Sequence, residues 1–268
     1  MMFRWLMWNW IYWGELETAE MDDYDVFYIM NTVSIFTFLS LASIDIQNTL
    51  SHLSLAIGLL GLLIAVYSIQ SSTKQLREME VDYWNARGID DNRKGAEIRK
   101  KSEYDQAALA YEDAIEAFDK ASKLDPKSSK TWSNRGNALN ARFKYDEAIC
   151  AFDRALELDS RSAKTWNNYA LAFYAKGNAL KIQGDIPNAQ TNYDKAINAF
   201  DRAIKQDVEL ARAWNNKGSV LKDQGDIFKN LGDQIYAQSK YDEAMDCYDK
   251  AIRLDPNFAG FYYNKGVA

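Results

Sequence analysis

Histidine, cysteine and proline are scarce in this chain, which has one, two and three of them in 268 residues. The single histidine, His52, has no cysteine or second histidine nearby in sequence, so a metal site or a catalytic triad lacks candidate residues. Cys150 and Cys247 fit small buried positions better than a disulfide. The chain also lacks the glycine patterns that bind phosphates and dinucleotides. We therefore expect a protein that is not an enzyme and holds no metal or cofactor.

Positive charge is missing from a long N-terminal stretch, because no Lys or Arg occurs between Trp5 and Thr73. The first 73 residues contain one basic and seven acidic residues, and the remaining 31 of each sign cancel. A neutral domain lacks the basic surface that nucleic-acid binding usually needs. We therefore expect no nucleic-acid partner.

Two uncharged apolar runs lie within that stretch, at residues 26–44 and 53–69, with a polar turn at 45–52 between them. The second run can begin at Leu50, which gives predicted spans of about 26–44 and 50–70. At about 1.5 Å per residue each run is close to the apolar thickness of a bilayer. These runs predict a two-helix transmembrane hairpin over residues 26–70. The alternative is a single span at 50–70 with the first run lying in the interface. A cleaved signal sequence is disfavoured because the start of the chain is not basic.

The residues that flank these runs predict how the chain is oriented in the membrane. Residues 1–25 hold four tryptophans followed by six acidic residues, a pattern that suits the membrane–water boundary, although such a segment could instead pack on a neighbour or be disordered. Basic residues cluster after the second run, at Lys74, Arg77, Arg87, Arg93 and Lys94. Because Lys and Arg near span ends favour the cytoplasmic side, we expect the rest of the chain there.

From residue 81 onward the sequence repeats itself. Tryptophan recurs at intervals of 48, 34 and 48 residues, and Tyr262 follows 48 residues after the last one. Each repeat then has an alanine, an aromatic residue four positions later and a second alanine three positions after that. The tryptophans and first alanines are Trp84, Trp132, Trp166, Trp214, Ala114, Ala148, Ala196 and Ala244. Small residues of this kind allow two helices to approach closely, and the aromatic rings fill the remaining gaps.

This pattern resembles the tetratricopeptide repeat, a helix-turn-helix module of 34 residues. The resemblance implies an all-α superhelix at 82–268, after a junction helix at 71–81, with units at 81–128, 129–162, 163–210 and 211–258 and a partial fifth unit at 259–268. Two departures stand out. The third repeat has Ala170 where the others have glycine, and the leucine that the family carries one position earlier is replaced throughout, by Arg87, Arg135, Tyr169 and Lys217.

Three of the repeats are fourteen residues longer than the family's 34. Seven residues make close to two helical turns, so adding seven to each helix keeps the apolar faces in phase. This division predicts turns at Gly184-Asp185 and Gly232-Asp233, with Ser102-Glu103 as a weaker match in the first unit. Pro187 would then lie at a helix start, where proline is tolerated.

In the family, the first helix of each repeat lines a concave groove that commonly binds an extended peptide. The corresponding positions here hold three cations and a set of amides: Asn85, Lys130, Asn137, Lys164, Asn167, Arg212 and Asn215. These side chains suit the backbone and carboxylates of a peptide, although the cations could equally be solvated surface charges. The resemblance therefore implies a membrane-anchored scaffold for protein or peptide partners.

Two other functions stay open at this stage. The array could be a structural element that assembles with copies of itself, since the short fifth unit is largely apolar and offers an uncovered end. It could also be the regulatory arm of an enzyme whose catalytic part is on another chain.

Overall fold

The structure is a computed structural model that describes the backbone of residues 46–268, with side chains from residue 53 onward. The predicted first span at 26–44 and the segment 1–25 lie outside the described residues. The described part of the chain consists of helices without strands. These are α1 (Ile46–Lys100), α2 (Tyr104–Leu124), α3 (Ser129–Ala141), α4 (Tyr145–Leu158), α5 (Ala163–Ile182), α6 (Ile186–Gln206), α7 (Ala211–Asn230), α8 (Gln234–Leu254) and α9 (Ala259–Gly266).

The chain divides into two compact units, residues 1–74 and 75–268. In the first unit, the described apolar part of α1 exposes its leucines and isoleucines, such as Leu55, Ile57 and Leu62. It belongs to the one described helix that is long and apolar enough to cross a membrane, and none of that apolar stretch is buried. Length and composition are the whole basis of this finding. Membrane insertion therefore stays a prediction.

In the second unit, consecutive helices form hairpins, with α3 packed on α4, α5 on α6 and α7 on α8. Each hairpin also packs on the next through the pairs α2–α3, α4–α5 and α6–α7. The first helices of neighbouring hairpins, α3, α5, α7 and α9, contact one another in sequence. This is the stacked helix-hairpin architecture that the resemblance implies.

The lengths of these helices confirm the predicted extra heptad. The 34-residue repeat has helices of 13 and 14 residues, whereas α5 and α7 have 20 residues and α6 and α8 have 21. The turns also fall where they were predicted. Gly184 and Gly232 have φ of +83° and +84°, and α6 begins at Ile186 with Pro187 in its first turn. Each turn closes with a bond from the following aspartate N–H to the carbonyl five residues earlier, that of Leu180 or Phe228, 2.9 Å long in both cases.

Two non-glycine residues adopt the same left-handed conformation at the equivalent turns, Ser102 at φ 63° and Phe143 at φ 65°. This conformation costs an L-residue about 1–2 kcal/mol relative to glycine. The weak match at Ser102-Glu103 is therefore a true turn of the same type, built from a less suitable residue.

The seam of each hairpin is made of alanine and glycine against aromatic rings. The predicted alanines Ala114, Ala148, Ala196 and Ala244 are fully buried. A Cβ on Gly88, Gly136 or Gly218 would lie 2.8–2.9 Å from the facing ring of Phe118, Phe152 or Tyr248. The added heptads repeat this arrangement with Gly95, Gly177 and Gly225 facing Tyr111, Tyr193 and Tyr241 at 2.6–2.7 Å. The lengthened arms therefore pack as tightly as the original ones.

Candidate protein-binding surfaces

The three predicted groove cations occupy the second position of α3, α5 and α7. Lys130, Lys164 and Arg212 are all exposed. Among the residues that the structure describes, the side chains of these three cations form no hydrogen bond or ion pair. A cation in the first turn of a helix is disfavoured by the positive end of the helix dipole. Three unpaired cations at such places are therefore available to an external anion.

The predicted groove amides have a different environment, because most of them join neighbouring repeats. The Oδ1 atom of Asn85 accepts from the Thr131 hydroxyl at 3.0 Å. The amides of Asn216 and Asn264 donate to Asn167 and Asn215 at 3.2 and 2.9 Å. Asn167 and Asn215 are buried, with 9% and 8% of their surface exposed. This amide ladder holds the first helices of successive hairpins together, which leaves half-buried Asn137 and the cations as the more accessible members of the set.

A hydrogen bond between repeats, which the sequence analysis did not predict, forms at the position where the family's leucine is replaced by Arg, Tyr or Lys. From the second repeat onward, the side chain at this position bonds to an aspartate sixteen residues earlier, on the second helix of the preceding repeat. The pairs are Arg135–Asp119 at 2.5 Å, Tyr169–Asp153 at 2.6 Å, Lys217–Asp201 at 2.6 Å and Lys265–Asp249 at 2.5 Å. The constant spacing of polar residue and aspartate was visible in the sequence and could have predicted these bonds.

The repeat tryptophans also form hydrogen bonds to the turns between repeats. The indole N–H of Trp132, Trp166 and Trp214 donates to the carbonyl six residues earlier, at 3.0, 2.9 and 3.1 Å. That carbonyl belongs to the turn that connects two repeats, so the bond fixes the turn against the next helix. Trp84 has no such turn before it because α1 runs through this point, and its indole lies 3.5 Å from Glu80. The tryptophans are thus structural residues.

The heptads added to α5 and α7 carry polar side chains that form a cluster, which Tyr241 of α8 joins. The Tyr174 hydroxyl donates to Asp223 at 2.6 Å, and Lys181 lies 3.4 Å from the same carboxylate. The Tyr241 hydroxyl donates to Asp226 at 2.8 Å. Burial raises the pKa of Tyr241 to about 12, with the bond to Asp226 adding to the effect. Since these tyrosines stay protonated at neutral pH, the cluster stabilises the extended part of the array.

The two cysteines differ from each other. Cys247 is buried, as expected, and burial raises the pKa of its thiol to about 11. The expectation that Cys150 is buried is wrong, because it lies on the exposed side of α4. Alanine, not cysteine, faces the seam at this point: Ala148 and Ala151 are buried on either side of it. Among the described residues, no group of three His, Cys, Asp or Glu side chains could hold a metal ion.

Sequence comparisons match most of the repeat region. Two family models described as "Tetratricopeptide repeat" match residues 127–202 and 189–227, and one described as "TPR repeat" matches residues 232–268. No curated protein sequence matches the chain.

Several solved structures are similar to this chain. A crystal structure of MamA is 24% identical, with 65% of this chain and 81% of that chain covered and a TM-score of 0.40. The pilF protein of Pseudomonas aeruginosa is 18% identical, with coverage of 70% and 67% and a TM-score of 0.44. The TPR2B domain of yeast Sti1 in complex with pHsp70 is 20% identical, with coverage of 63% and 98% and a TM-score of 0.35.

Proposed function

Residues 127–227 and 232–268 are tetratricopeptide repeats, a fold typical of protein-interaction scaffolds, and we propose that the protein is a membrane-anchored scaffold of this kind. Its repeat array binds protein or peptide partners at the face formed by the first helices of the hairpins. Its N-terminal region anchors the array at the cytoplasmic side of a membrane. The protein performs no catalysis of its own.

The recurrence of Lys130, Lys164 and Arg212 at one repeat position is the observation that carries the proposal. All three are exposed, and they sit where the helix dipole opposes a positive charge. An anionic partner would relieve that opposition and form charge-assisted hydrogen bonds with the cations. The expected partner is therefore an acidic segment or a chain terminus that offers carboxylates.

The anchoring half of the proposal is supported by two features. The apolar part of α1 is exposed along its length, and exposed leucine and isoleucine over several turns are unfavourable in water. The basic residues that follow this part of the chain favour the cytoplasmic side for the repeats.

The test is capture of partners by the full-length protein in detergent, identified by mass spectrometry. The variant with Lys130, Lys164 and Arg212 all changed to alanine should lose specific partners that the wild type retains. The matched control changes three other exposed cations, Lys123, Arg161 and Arg253, to alanine. This control should retain the same partners as the wild type. Equal capture by all three proteins would reject the cationic face as the binding surface.

Self-association is the second candidate function, and the surface of α9 favours it. Tyr262, Tyr263 and Val267 are 50%, 71% and 53% exposed, while Phe261 is buried. Sedimentation of the full-length protein should show a concentration-dependent oligomer that a Tyr262→Ser, Tyr263→Ser variant loses. A monomer at all concentrations in both proteins would rule this candidate out.

A further inference from the structure

A long groove lies between α4 and α6, away from the face formed by the first helices. These two helices make no close backbone contact with each other, and both pack on α5, which forms the floor between them. The cavity above this floor has a volume of about 1180 Å³. Trp166, Tyr169 and Phe173 line the floor, with centroid distances of 5.8 Å and 4.8 Å between successive rings.

The unequal lengths of the repeats extend this groove. α4 has 14 residues whereas α5 has 20, so the last turns of α5 continue beyond the start of α4. A second cavity of about 380 Å³ lies at that step and shares Asp146, Lys176 and Leu180 with the first. The groove follows α5 from Trp166 to Gln183, which corresponds to about 26 Å of helix.

The floor is specific to the third repeat. The positions of Tyr169 and Phe173 hold Arg135 and Leu139 in the second repeat and Lys217 and Leu221 in the fourth. In those two repeats the cation is tied to an aspartate, and the leucine is almost completely buried. Tyr169 and Phe173 therefore extend the repeat tryptophan into a continuous row of aromatic rings that the second and fourth repeats lack. The edges of these rings face the groove, although Phe173 is only 8% exposed and the Tyr169 hydroxyl bonds to Asp153.

The two walls of the groove carry opposite charge. Its acidic side chains, Asp146, Asp153 and Glu157, are all on α4. Each also has one partner within the chain, namely Lys176 of the floor, the Tyr169 hydroxyl and Arg154. The cations of the other wall are on α6, where Lys195 lies 5.6 Å from the Phe173 ring centre and Arg202 lies 5.0 Å from that of Trp166. An occupant that fits both walls needs a basic flank on one side and an acidic flank on the other.

We propose that this groove binds an amphipathic α-helix of a partner protein, about 17 residues long. Its apolar stripe rests on Trp166, Tyr169 and Phe173, as in other helix-in-groove complexes. Its basic flank faces the carboxylates of α4, and its acidic flank faces Lys195 and Arg202. The length of the groove, the aromatic floor and the segregated charge each match this occupant. The proposal is independent of the cationic face formed by Lys130, Lys164 and Arg212.

The probe is a dye-labelled designed helix of 18 residues with a leucine and methionine stripe, lysine on one flank and glutamate on the other. It is titrated with full-length protein in zwitterionic nanodiscs, and empty nanodiscs give the background anisotropy. We expect saturable binding that weakens at least roughly tenfold in a Tyr169→Lys, Phe173→Leu variant. These substitutions place the residues of the fourth repeat in the third, so the fold is expected to survive, which circular dichroism checks. A Leu109→Ser variant, changed at an exposed residue elsewhere, should bind as the wild type does.

Two further peptides separate the possible occupants. A peptide that differs from the designed helix only by a central proline should not bind, and equal binding would show an extended occupant instead of a helix. A peptide with lysine on both flanks should prefer a Lys195→Glu, Arg202→Glu variant over the wild type. No saturable binding of the designed helix at about 100 μM protein, or binding that Tyr169→Lys, Phe173→Leu leaves unchanged, would overturn the proposal.

Discussion

Gly177 is the position where the packing of a lengthened repeat can be tested most sharply. A Cβ at this glycine would lie 2.6 Å from two carbons of the Tyr193 ring and 3.3 Å from the Ala189 carbonyl oxygen. The ring cannot move away easily, because Tyr193 is fully buried and its hydroxyl donates to Asn178 at 2.5 Å. Overpacking of this kind costs about 1–3 kcal/mol, against about 0.5–1 kcal/mol that alanine gains over glycine within a helix. We therefore expect Gly177→Ala to lower the free energy of unfolding by about 1–2 kcal/mol.

The assay is urea unfolding of the full-length protein in detergent, followed by far-ultraviolet circular dichroism. Gly266→Ala is the matched control, because a Cβ at that helical glycine would meet no atom within 4 Å. It should leave the unfolding midpoint unchanged or raise it slightly. A Gly177→Ala protein as stable as the wild type would show that α5 and α6 are not in the close contact described here.

Three further predictions address single bonds, thiol reactivity and topology. Trp166→Phe should lower the free energy of unfolding by about 1 kcal/mol through loss of the indole bond to the Ser160 carbonyl, and an unchanged urea midpoint would contradict this role. The thiol of Cys247 stays protonated until the pH approaches about 11, so at pH 8 it should react with maleimide on the order of 100-fold more slowly than an unperturbed thiol. A Cys150→Ser variant isolates this rate, and rapid labelling of the folded protein would contradict the burial of Cys247. For the two-span topology, single cysteines at Asn48, Thr18 and Ser72 should be labelled from outside at Asn48 alone, and labelling at Thr18 would exclude two spans.

Regular packing signals made the hairpin architecture predictable from the sequence. Tryptophan and alanine recur at fixed spacing because every hairpin packs its two helices against each other in the same way. The fourteen extra residues could be divided correctly because a seven-residue addition to each helix keeps both apolar faces in phase and agrees with the aligned glycines. Gly184 and Gly232 then marked the turns, since glycine suits the left-handed conformation that closes them.

The side-chain partners of the predicted groove residues could not be read from the same pattern. Asn167 and Asn215 were assigned to a ligand from their repeat position, but the structure also bonds them to the next repeat. Whether an amide faces a neighbour or a groove depends on the rotation between hairpins, which local spacing does not reveal. Tyr169 was noted as a departure from the family pattern, yet the groove above it depends on where α4 and α6 lie relative to α5.

The central claim, that the exposed cations of α3, α5 and α7 bind an anionic partner, is tested most directly by the salt dependence of binding. The affinity of full-length protein for a captured partner is measured between about 0.05 and 0.5 M salt, across which screening of exposed charges increases strongly. The wild type should bind more weakly as salt rises. The Lys130→Ala, Lys164→Ala, Arg212→Ala variant should bind weakly throughout, with a smaller dependence on salt. Identical affinity and identical salt dependence in the two proteins would contradict the claim.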